Sequence, residues 1–477
     1  MFRCVMRSNF REPRRCHKTG AVFQPLASLH VVATFRRLLR RLAAAVPGAD
    51  HTKLLWIALA SGAACVGSAW AAPVVGLPPS ASSPVLTLGQ AEHELLRRNP
   101  ALRRARAIRE GLQHQAIAIA QLPDPELGLM ALDVPVTTLS LAQGQNAMLS
   151  VGLSQHFPAF GQRAARGREW HHKSRAALYG ILATRAQSLL ALRTAWADAL
   201  YGTRAIALLR RQQQLYSESV RAAGARLRAG TAPETDLLRA RLEQLALANQ
   251  ISRARALETA ALATVASLLV RPALPALDQA WPDLAPPPSL AAIEGGLPGN
   301  PLLRKADAGR QAAEDALAVA RSGYYPTVTV FGSYGKTYYP GMPDQVTVGV
   351  NISLPLFTID RQDQRRDAAR ADLTAARDAY QDRAARLLAR TRTEFAHYLS
   401  IQEQLTQSRQ QLLPTARAAF SAALASYGAD QMRMSRVLQA QRTELRYSLA
   451  QLELRRDLLA TQANLDYLAT GRETYHE

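Results

Sequence analysis

The stretch VGLSQHFP at residues 151–158 recurs as VGVNISLP at residues 348–355, and around the second copy residues 345–354 alternate strictly between apolar and small polar side chains. Such alternation over ten residues is typical of a β-strand that faces lipid on one side and water on the other. The same period is less complete in three further segments, residues 149–154, 327–335 and, most weakly, 127–133. We therefore predict two strand hairpins, or four strands per chain.

The sequence around these strands is also duplicated. The matched landmarks are NPALRRA at 99–105 with NPLLRKA at 300–306, the two strand stretches, and Gly230 with Leu237 against Gly428 with Val437. Landmarks that recur in the same order indicate an internal repeat. We predict a first repeat at residues 86–270, a Pro-rich linker at 271–299 and a second repeat at 300–471.

Each repeat also carries helical sequence too long for an ordinary globular domain. Residues 162–228 contain no proline and are rich in Ala, Leu, Arg and Gln. They predict one helix roughly 100 Å long, with a heptad-like apolar seam that packs against neighbouring helices. Two half-length helices, 99–121 and 234–270, together match its length, so we expect them to stack end to end beside it. The second repeat supplies the same set at 361–427, 300–322 and 432–468, and Pro414 is expected to kink its long helix.

Four strands cannot close a membrane barrel, and an open sheet edge is not tolerated in lipid. The predicted fold class is therefore a mixed one, an all-α barrel joined to a membrane β-barrel. A homotrimer would provide a 12-stranded β-barrel and a 12-helix α-barrel. A lone alternating strand is more often half of a soluble sheet, but here the hairpins lie between long helices with no further strands to complete one.

The first 71 residues have the character of a targeting segment. An uncharged run at 54–67 follows Arg40, Arg41 and Lys53 and leads to a small-residue site ending at Ala71, which predicts a signal peptide removed after Ala71. An N-terminal membrane anchor and a lipidated Cys65 are the alternatives. All three cysteines, Cys4, Cys16 and Cys65, lie in this segment, so the expected mature chain has no disulfide or thiolate metal site.

Composition argues against several other functions. The chain has a formal net charge of +21, but its arginines are scattered along helices rather than gathered into a stripe with aromatic residues between them. Nucleic-acid binding is therefore unsupported. No nucleophile motif, phosphate loop or pair of catalytic carboxylates is present, and the histidines have no metal-ligand spacing, so we expect neither an enzyme nor a cofactor.

Over residues 86–471 the sequence resembles the TolC-type outer-membrane efflux proteins. The motifs that carry the resemblance are LPDPELG at 122–128, VGLSQHFP at 151–158, LRAGTAPETDLLRA at 227–240, YYPTVTVFGSYG at 324–335 and VNISLPLF at 350–357. The resemblance implies a homotrimeric exit duct in the lipid of the outer membrane, with its helical barrel in the periplasm. Its partners would be a periplasmic membrane-fusion adaptor and an inner-membrane pump of the resistance-nodulation-division class. The LPDPE segment is similar to that of heavy-metal efflux members, which makes metal ions one expected cargo.

The resemblance also places two functional regions at the helical turns, or tips. Adaptor docking is expected at Leu227, Gly230, Thr231, Leu237, Tyr427, Gly428 and Met434. The best-known members constrict the pore with two aspartates in the second tip, but the matching positions here are Arg436 and Gln439. We therefore expect a gate made of interhelix pairs among Asp236, Arg239, Asp430, Arg433, Arg436 and Gln439.

Two alternative interpretations remain. A type I secretion exit duct has the same architecture and differs only in its partner pump. A periplasmic coiled-coil adaptor also has long helical hairpins, but it would lack the four strand patterns.

Overall fold

The computed structural model describes residues 85–429 and 432–470, all within the second of two compact units, Pro79–Glu477. The expected signal segment with Cys4, Cys16 and Cys65 lies outside the described residues, as does Asp430. The described elements are, in chain order, α1 Leu88–Arg98, α2 Pro100–Ile119, β1 Glu126–Leu132, β2 Met148–Phe157, α3 Gln162–Arg228, α4 Glu234–Leu269, α5 Leu290–Gly296, α6 Pro301–Ser322, β3 Thr327–Thr337, β4 Gln345–Ser353, α7 Gln364–Gln407, α8 Leu413–Gly428 and α9 Met434–Ala469.

Helix α3 has the predicted bounds and the predicted length of 67 residues. It begins after Gly161, whose left-handed φ of 74° turns the chain out of β2, and no proline interrupts it. Helices α2, α4, α6 and α9 all pack along α3. Its most buried large side chains are Leu192, Trp196, Leu200, Leu209 and Tyr216. This helix therefore provides the surface on which both repeats meet.

The half-length helices meet at asparagine residues that cap one helix and bind the end of another. The Asn99 side-chain oxygen accepts a hydrogen bond from the Ala101 backbone N–H at 2.8 Å, and its Nδ2 donates to the Leu268 carbonyl at 3.2 Å. In the second repeat Asn300 repeats both bonds, with the Leu302 N–H at 3.0 Å and the Leu468 carbonyl at 3.1 Å. Each asparagine thus satisfies free backbone groups at two helix ends. The predicted stacking of α2 on α4, and of α6 on α9, is confirmed.

The long helix of the second repeat is interrupted in a different way from the predicted one. Helical structure runs from Ile359 to Gly428 but includes two π-helical turns, Ile359–Asp363 and Ser408–Leu412. Proline has no N–H to donate, and its ring clashes with the carbonyl four residues earlier. A π-turn immediately before Pro414 accommodates both effects. The expected disturbance at Pro414 therefore takes the form of this second π-turn, whereas the first π-turn had no sequence signal.

The four strands form one antiparallel sheet in the order β1-β2-β3-β4. The central β2–β3 pairing joins the two repeats, with Val151 opposite Tyr334 and Phe157 opposite Val328. Because cross-strand partners share a face, most apolar positions of the four strands fall on one side of the sheet, whereas Met130, Leu132, Met148 and Phe331 fall on the other. The apolar side carries Leu127, Leu129, Leu149, Val151, Leu153, Val328, Val330, Tyr334, Val346, Val348, Val350 and Ile352.

The Pro-rich segment 271–299 is ordered against the start of the described chain. The Leu86 N–H donates to the Ala276 carbonyl at 2.9 Å, and the Asp278 N–H donates to the Leu86 carbonyl at 2.9 Å. The segment also contains the short helix α5 and the 3₁₀ turn Leu297–Gly299, which the sequence patterns did not predict.

In the part of the chain that the structure describes, no helix combines the length and hydrophobicity needed to span a membrane.

Candidate functional site

The first tip, residues 229–233, has the geometry of a Schellman turn. The Thr231 N–H donates to the Arg226 carbonyl and the Gly230 N–H donates to the Leu227 carbonyl, both at 3.0 Å. Gly230 has a φ of 70°, a conformation in which other residues are strained. Thr231 adds a side-chain bond to the same Arg226 carbonyl at 3.2 Å. These bonds satisfy the last carbonyls of α3, so the tip is a tight turn built around Gly230.

The second tip differs, and its glycine is not the structural equivalent of Gly230. Helix α8 ends at Gly428, which lies 200 residues after the end of α3 at Arg228, and α9 begins 200 residues after α4. Gly428 is therefore equivalent to Arg228, and the position equivalent to Gly230 is residue 430. Gly428 does not adopt a positive φ, and a side chain added there would meet open space. The sequence alignment of Gly230 with Gly428 was wrong by two residues.

The residues expected to dock an adaptor separate into a buried group and an exposed group. Tyr427 and Met434 are only 7% and 1% exposed, and both belong to the apolar core between the two hairpins. Leu227 and Leu237 are half-buried, whereas Gly230, Thr231 and Gly428 are exposed. The exposed tip surface also includes Leu238, which the sequence analysis did not single out.

Arg226 links the two tips to each other. Its Nη2 donates to the Tyr427 carbonyl at 2.7 Å, and its guanidinium carbon lies 4.0 Å from the centre of the Tyr427 ring. This contact combines a hydrogen bond with a cation–π interaction across helices 201 residues apart in sequence. Tyr427 is therefore held inside the subunit, and Arg226 is a tip residue that the sequence gave no reason to select.

The gate candidates that the structure describes, which leaves out Asp430, form no ion pairs with one another within one chain. Asp236 is 8% exposed and lies in the first turn of α4, where a carboxylate stabilises the positive end of the helix. Arg239, Arg433, Arg436 and Gln439 are exposed. Among the described residues, Asp236 forms no ion pair with any of these arginines. The interhelix pairs seen nearby are Arg442 with Glu243 at 3.5 Å and Arg417 with Glu444 at 3.8 Å.

Above the tips, polar side chains are buried between the two hairpins. Gln212 of α3 and Gln441 of α9 are 2% and 0% exposed, with the Gln441 Nε2 donating to the Gln212 Oε1 at 3.5 Å. One turn further, Tyr216 is also buried, and this burial, together with the nearby Glu243 carboxylate, raises the pKa of Tyr216. The long Gln212–Gln441 bond is weak, so this layer holds the hairpins together less firmly than the apolar core beneath it.

The sheet presents opposite chemistry on its two faces. The apolar face is exposed along the edge strand, where Val346 and Val348 have 73% and 76% of their surface exposed. The other face carries mainly small or polar side chains, including Ser150, Ser333 and Thr347, and the His156 Nδ1 lies 3.1 Å from the Thr329 hydroxyl. Both β1 and β4 are edge strands in the single chain. The exposed apolar face and the two open edges leave the sheet free to pair with further strands.

A sheet of this kind between long helical hairpins defines a class, the subunit of a strand-and-helix channel. The family model described as outer membrane efflux protein matches residues 294–471. A search of curated protein sequences found no match.

Several solved structures have the same fold. CmeC, the outer-membrane channel of Campylobacter jejuni, superposes with a TM-score of 0.69 at 14% identity, covering 80% of this chain and 85% of CmeC. VceC, an outer-membrane protein of Vibrio cholerae, gives 0.68 at 18% identity, covering 80% and 96%. The open state of the MtrE outer-membrane channel of Neisseria gonorrhoeae gives 0.66 at 18% identity.

The family match covers residues 294–471, the end of the linker and the second repeat, and it confirms the resemblance to TolC-type proteins. Members of that family are passive channels and not enzymes.

Proposed function

We propose that this chain is one subunit of a homotrimeric exit duct in the outer membrane, through which an inner-membrane pump expels its cargo. The observation that carries the proposal is the four-stranded sheet, whose apolar face is exposed and whose edges β1 and β4 are both unpaired. In lipid, such edges must be paired. Pairing β4 of one copy with β1 of the next closes a barrel, and three copies give twelve strands with a water-filled lumen.

Cysteine cross-linking between the two edge strands tests this arrangement. All three natural cysteines lie within residues 1–71, so introduced cysteines have no competitors in the described chain. Leu129 of β1 is replaced by Cys together with Val346, Val348 or Val350 of β4, since all four lie on the apolar face. We expect at least one of these three pairs to form disulfide-linked dimers and trimers in outer-membrane fractions.

The matched control replaces Leu153 of the inner strand β2 in place of Leu129, because this strand is already paired on both sides. Cross-links between chains that form equally well with the control pair would contradict the edge-to-edge closure. A trimer band that converts to monomer on heating supplies an independent readout of the same assembly.

We further propose that the tips dock a periplasmic adaptor and that the pump behind it belongs to the resistance-nodulation-division class. The exposed tip surface around Gly230, Thr231 and Leu238 supports this role. Leu238→Glu should abolish capture of the adaptor in a cross-linking pull-down. Leu399→Glu is the matched control, since Leu399 is 52% exposed against 53% for Leu238 but lies on α7, away from the tips. Equal capture by both variants would remove the tip from the docking surface.

The gate proposal also involves more than one subunit. Asp236 and Arg436 occupy equivalent positions of the two tips, 200 residues apart, and they do not pair within a chain. Closing contacts between neighbouring subunits would place these opposite charges beside each other around the pore. Asp236→Ala with Arg436→Ala should therefore raise single-channel conductance and antibiotic leakage. Asp382→Ala, which removes an exposed ion pair with Arg386 on α7, is the control and should change neither.

The cargo is the least determined part of the proposal. No group of three potential metal-binding side chains occurs among the described residues, so metal ions as cargo are supported only by the LPDPE motif. A type I secretion duct shares the fold and is distinguished by which pump copurifies. The described four-stranded sheet argues against a coiled-coil adaptor, for which a lipid-facing sheet has no use.

A further inference from the structure

Three arginines from different elements lie close together between the two repeats with no acidic partner. Arg204 belongs to α3, Arg409 to the second π-turn and Arg455 to α9. We call Arg204, Arg409 and Arg455 the arginine cluster. Burial, and then the charges of Arg409 and Arg204, lower the pKa of Arg455. Among the described residues, no carboxylate lies within ion-pair distance of any of the three.

Arg456, the next residue on α9, has the acidic partners that Arg455 lacks. Arg456 lies 2.8 Å from a carboxylate oxygen of Asp457 and 3.9 Å from one of Asp198. One position earlier, the Arg455 Nε is buried and has no hydrogen-bond acceptor. Repulsion between like charges is costly away from water. A negatively charged group, which this chain does not provide among its described residues, would therefore stabilise the cluster.

Two more hydrogen-bond donors without acceptors are found in and beside the cluster. The Arg204 Nε and the Trp281 indole Nε1 are both buried without a partner, and the Arg204 guanidinium carbon lies 5.3 Å from the centre of the Trp281 ring. A hydrogen bond from the Arg204 Nη2 to the Gln279 carbonyl fixes that guanidinium in place. Arginine and indole N–H groups can only donate, so a group that satisfies them must be an acceptor.

Arg204 also lines a groove of about 320 Å³. Besides Arg204, its polar lining consists of Arg417, Ser448 and Gln451, and Gln451 lies one turn of α9 before Arg455. Of these, only Arg417 approaches a carboxylate, that of Glu444 at 3.8 Å. The groove is at the lower end of the size range of small-molecule sites, and its donors suit an ion with several oxygens.

We propose that the arginine cluster and this groove bind a soluble multivalent oxyanion of the phosphate or sulfate class. Guanidinium groups match the oxygen geometry of such anions in a two-pronged contact. A lipid headgroup of the outer membrane does not reach the site, because Arg204 follows the first residue of α3 by 42 residues, or roughly 60 Å of helix. The bound anion would tie α3, α9 and the second π-turn together at the point where Pro414 interrupts the long helix. The exclusion of a lipid headgroup rests on the proposed function, which places the sheet in the outer membrane, whereas the binding of phosphate does not.

Calorimetric titration of inorganic phosphate into the purified full chain in detergent, at constant ionic strength with chloride, tests the site. We expect one saturable binding event per chain. Arg455→Gln and Arg204→Gln should each weaken it roughly ten-fold, the effect of one charge-assisted hydrogen bond. Arg409 is exposed, and Arg409→Gln should weaken binding as well. Arg241→Gln removes an exposed arginine of α4 outside the cluster and should leave binding unchanged.

A second measurement keeps the inference testable if a variant is poorly folded. Phosphate should raise the thermal unfolding midpoint of the natural chain relative to chloride, and this increase should disappear in Arg409→Gln. Two results would overturn the proposal directly: no saturable binding of phosphate, or equal binding by all the variants. A third would be that phosphate does not change the unfolding midpoint of the natural chain, while replacement of Arg455 dissociates the trimer. The last result would show that a carboxylate of a neighbouring copy pairs with the cluster.

Discussion

Replacing Val348 by arginine tests whether the apolar face of the sheet contacts lipid. Val348 is 76% exposed and lies one residue from Gly349, the middle of the nine-residue strand β4. At about 3.3 Å per residue and a tilt near 40°, the strand spans an apolar band roughly 23 Å high. Position 348 is therefore within a few ångströms of the bilayer midplane. Thr347 precedes it on the same strand and faces the opposite side of the sheet.

The two positions differ in the cost that they predict. An arginine facing lipid at the midplane costs about 2 to 4 kcal/mol per chain, so a three-chain barrel with Val348→Arg loses roughly 6 to 12 kcal/mol. Thr347→Arg places the same side chain towards the small polar face, with a cost of about 1 kcal/mol or less. The difference of about 2 to 3 kcal/mol per chain corresponds to a roughly 100-fold change in the folded to unfolded ratio.

The assay is urea-induced unfolding in phospholipid vesicles, followed by loss of the heat-modifiable trimer band. Val348→Arg should shift the unfolding midpoint well below that of Thr347→Arg and should reduce the yield in outer-membrane fractions. Equal effects at the two positions, or a larger effect at Thr347, would refute the assignment of the two faces and with it the orientation of the barrel.

Asn300→Ala removes a helix cap and a hydrogen bond to the end of α9, so the free energy of unfolding should fall by about 2 kcal/mol. Asn300→Ser keeps the cap and should cost about 1 kcal/mol. Chemical denaturation measures both costs, and equal costs would show that Asn300 does not join α6 to α9. Gly230→Ala should cost about 1 kcal/mol because φ is positive there, while Gly428→Ala should be neutral or slightly stabilising; a large loss at Gly428 would contradict its helical conformation. The hydrogen bonds of Arg271 hold the pKa of Glu94 below its ordinary value, so Glu94 stabilises the fold above pH of about 4.3 and loses this contribution as the pH falls further. Glu94→Gln should therefore cost more stability at pH 7 than at pH 3, as thermal unfolding of both proteins at the two pH values will show.

The elements that the sequence predicted well are those whose boundaries are local. Helix α3 lies within the proline-free run between Pro158 and Pro233, which is visible in the sequence, and the turns at Gly161 and Gly230 fix its two ends. The boundaries of the strands were harder to predict, because they depend on pairing with neighbouring strands. β2 extends from Met148 to Phe157, beyond the alternating core at 149–154, because β3 continues to pair with it. β1 alternates poorly, yet it is a strand because β2 offers it an edge.

The tip residues were harder to assign, because their burial depends on a helix about 200 positions away. Tyr427 and Met434 are conspicuous apolar residues beside a turn, and only the packing of the first hairpin against them shows that they are core. The Gly230 and Gly428 positions were equated by residue type, whereas the helix ends that fix the true register cannot be read from one residue. Arg226 had no sequence signal, since nothing local indicates that it reaches Tyr427.

The two unpaired edges of the sheet have a consequence for how the protein is made. A single copy is unstable in lipid, because β1 and β4 each have a row of backbone groups without hydrogen-bond partners. In the proposed trimer, insertion into the membrane cannot precede assembly, and the rate of the combined step rises with the concentration of free subunits. Before assembly each subunit exposes both an apolar face and two edges open to strand addition, which favours aggregation.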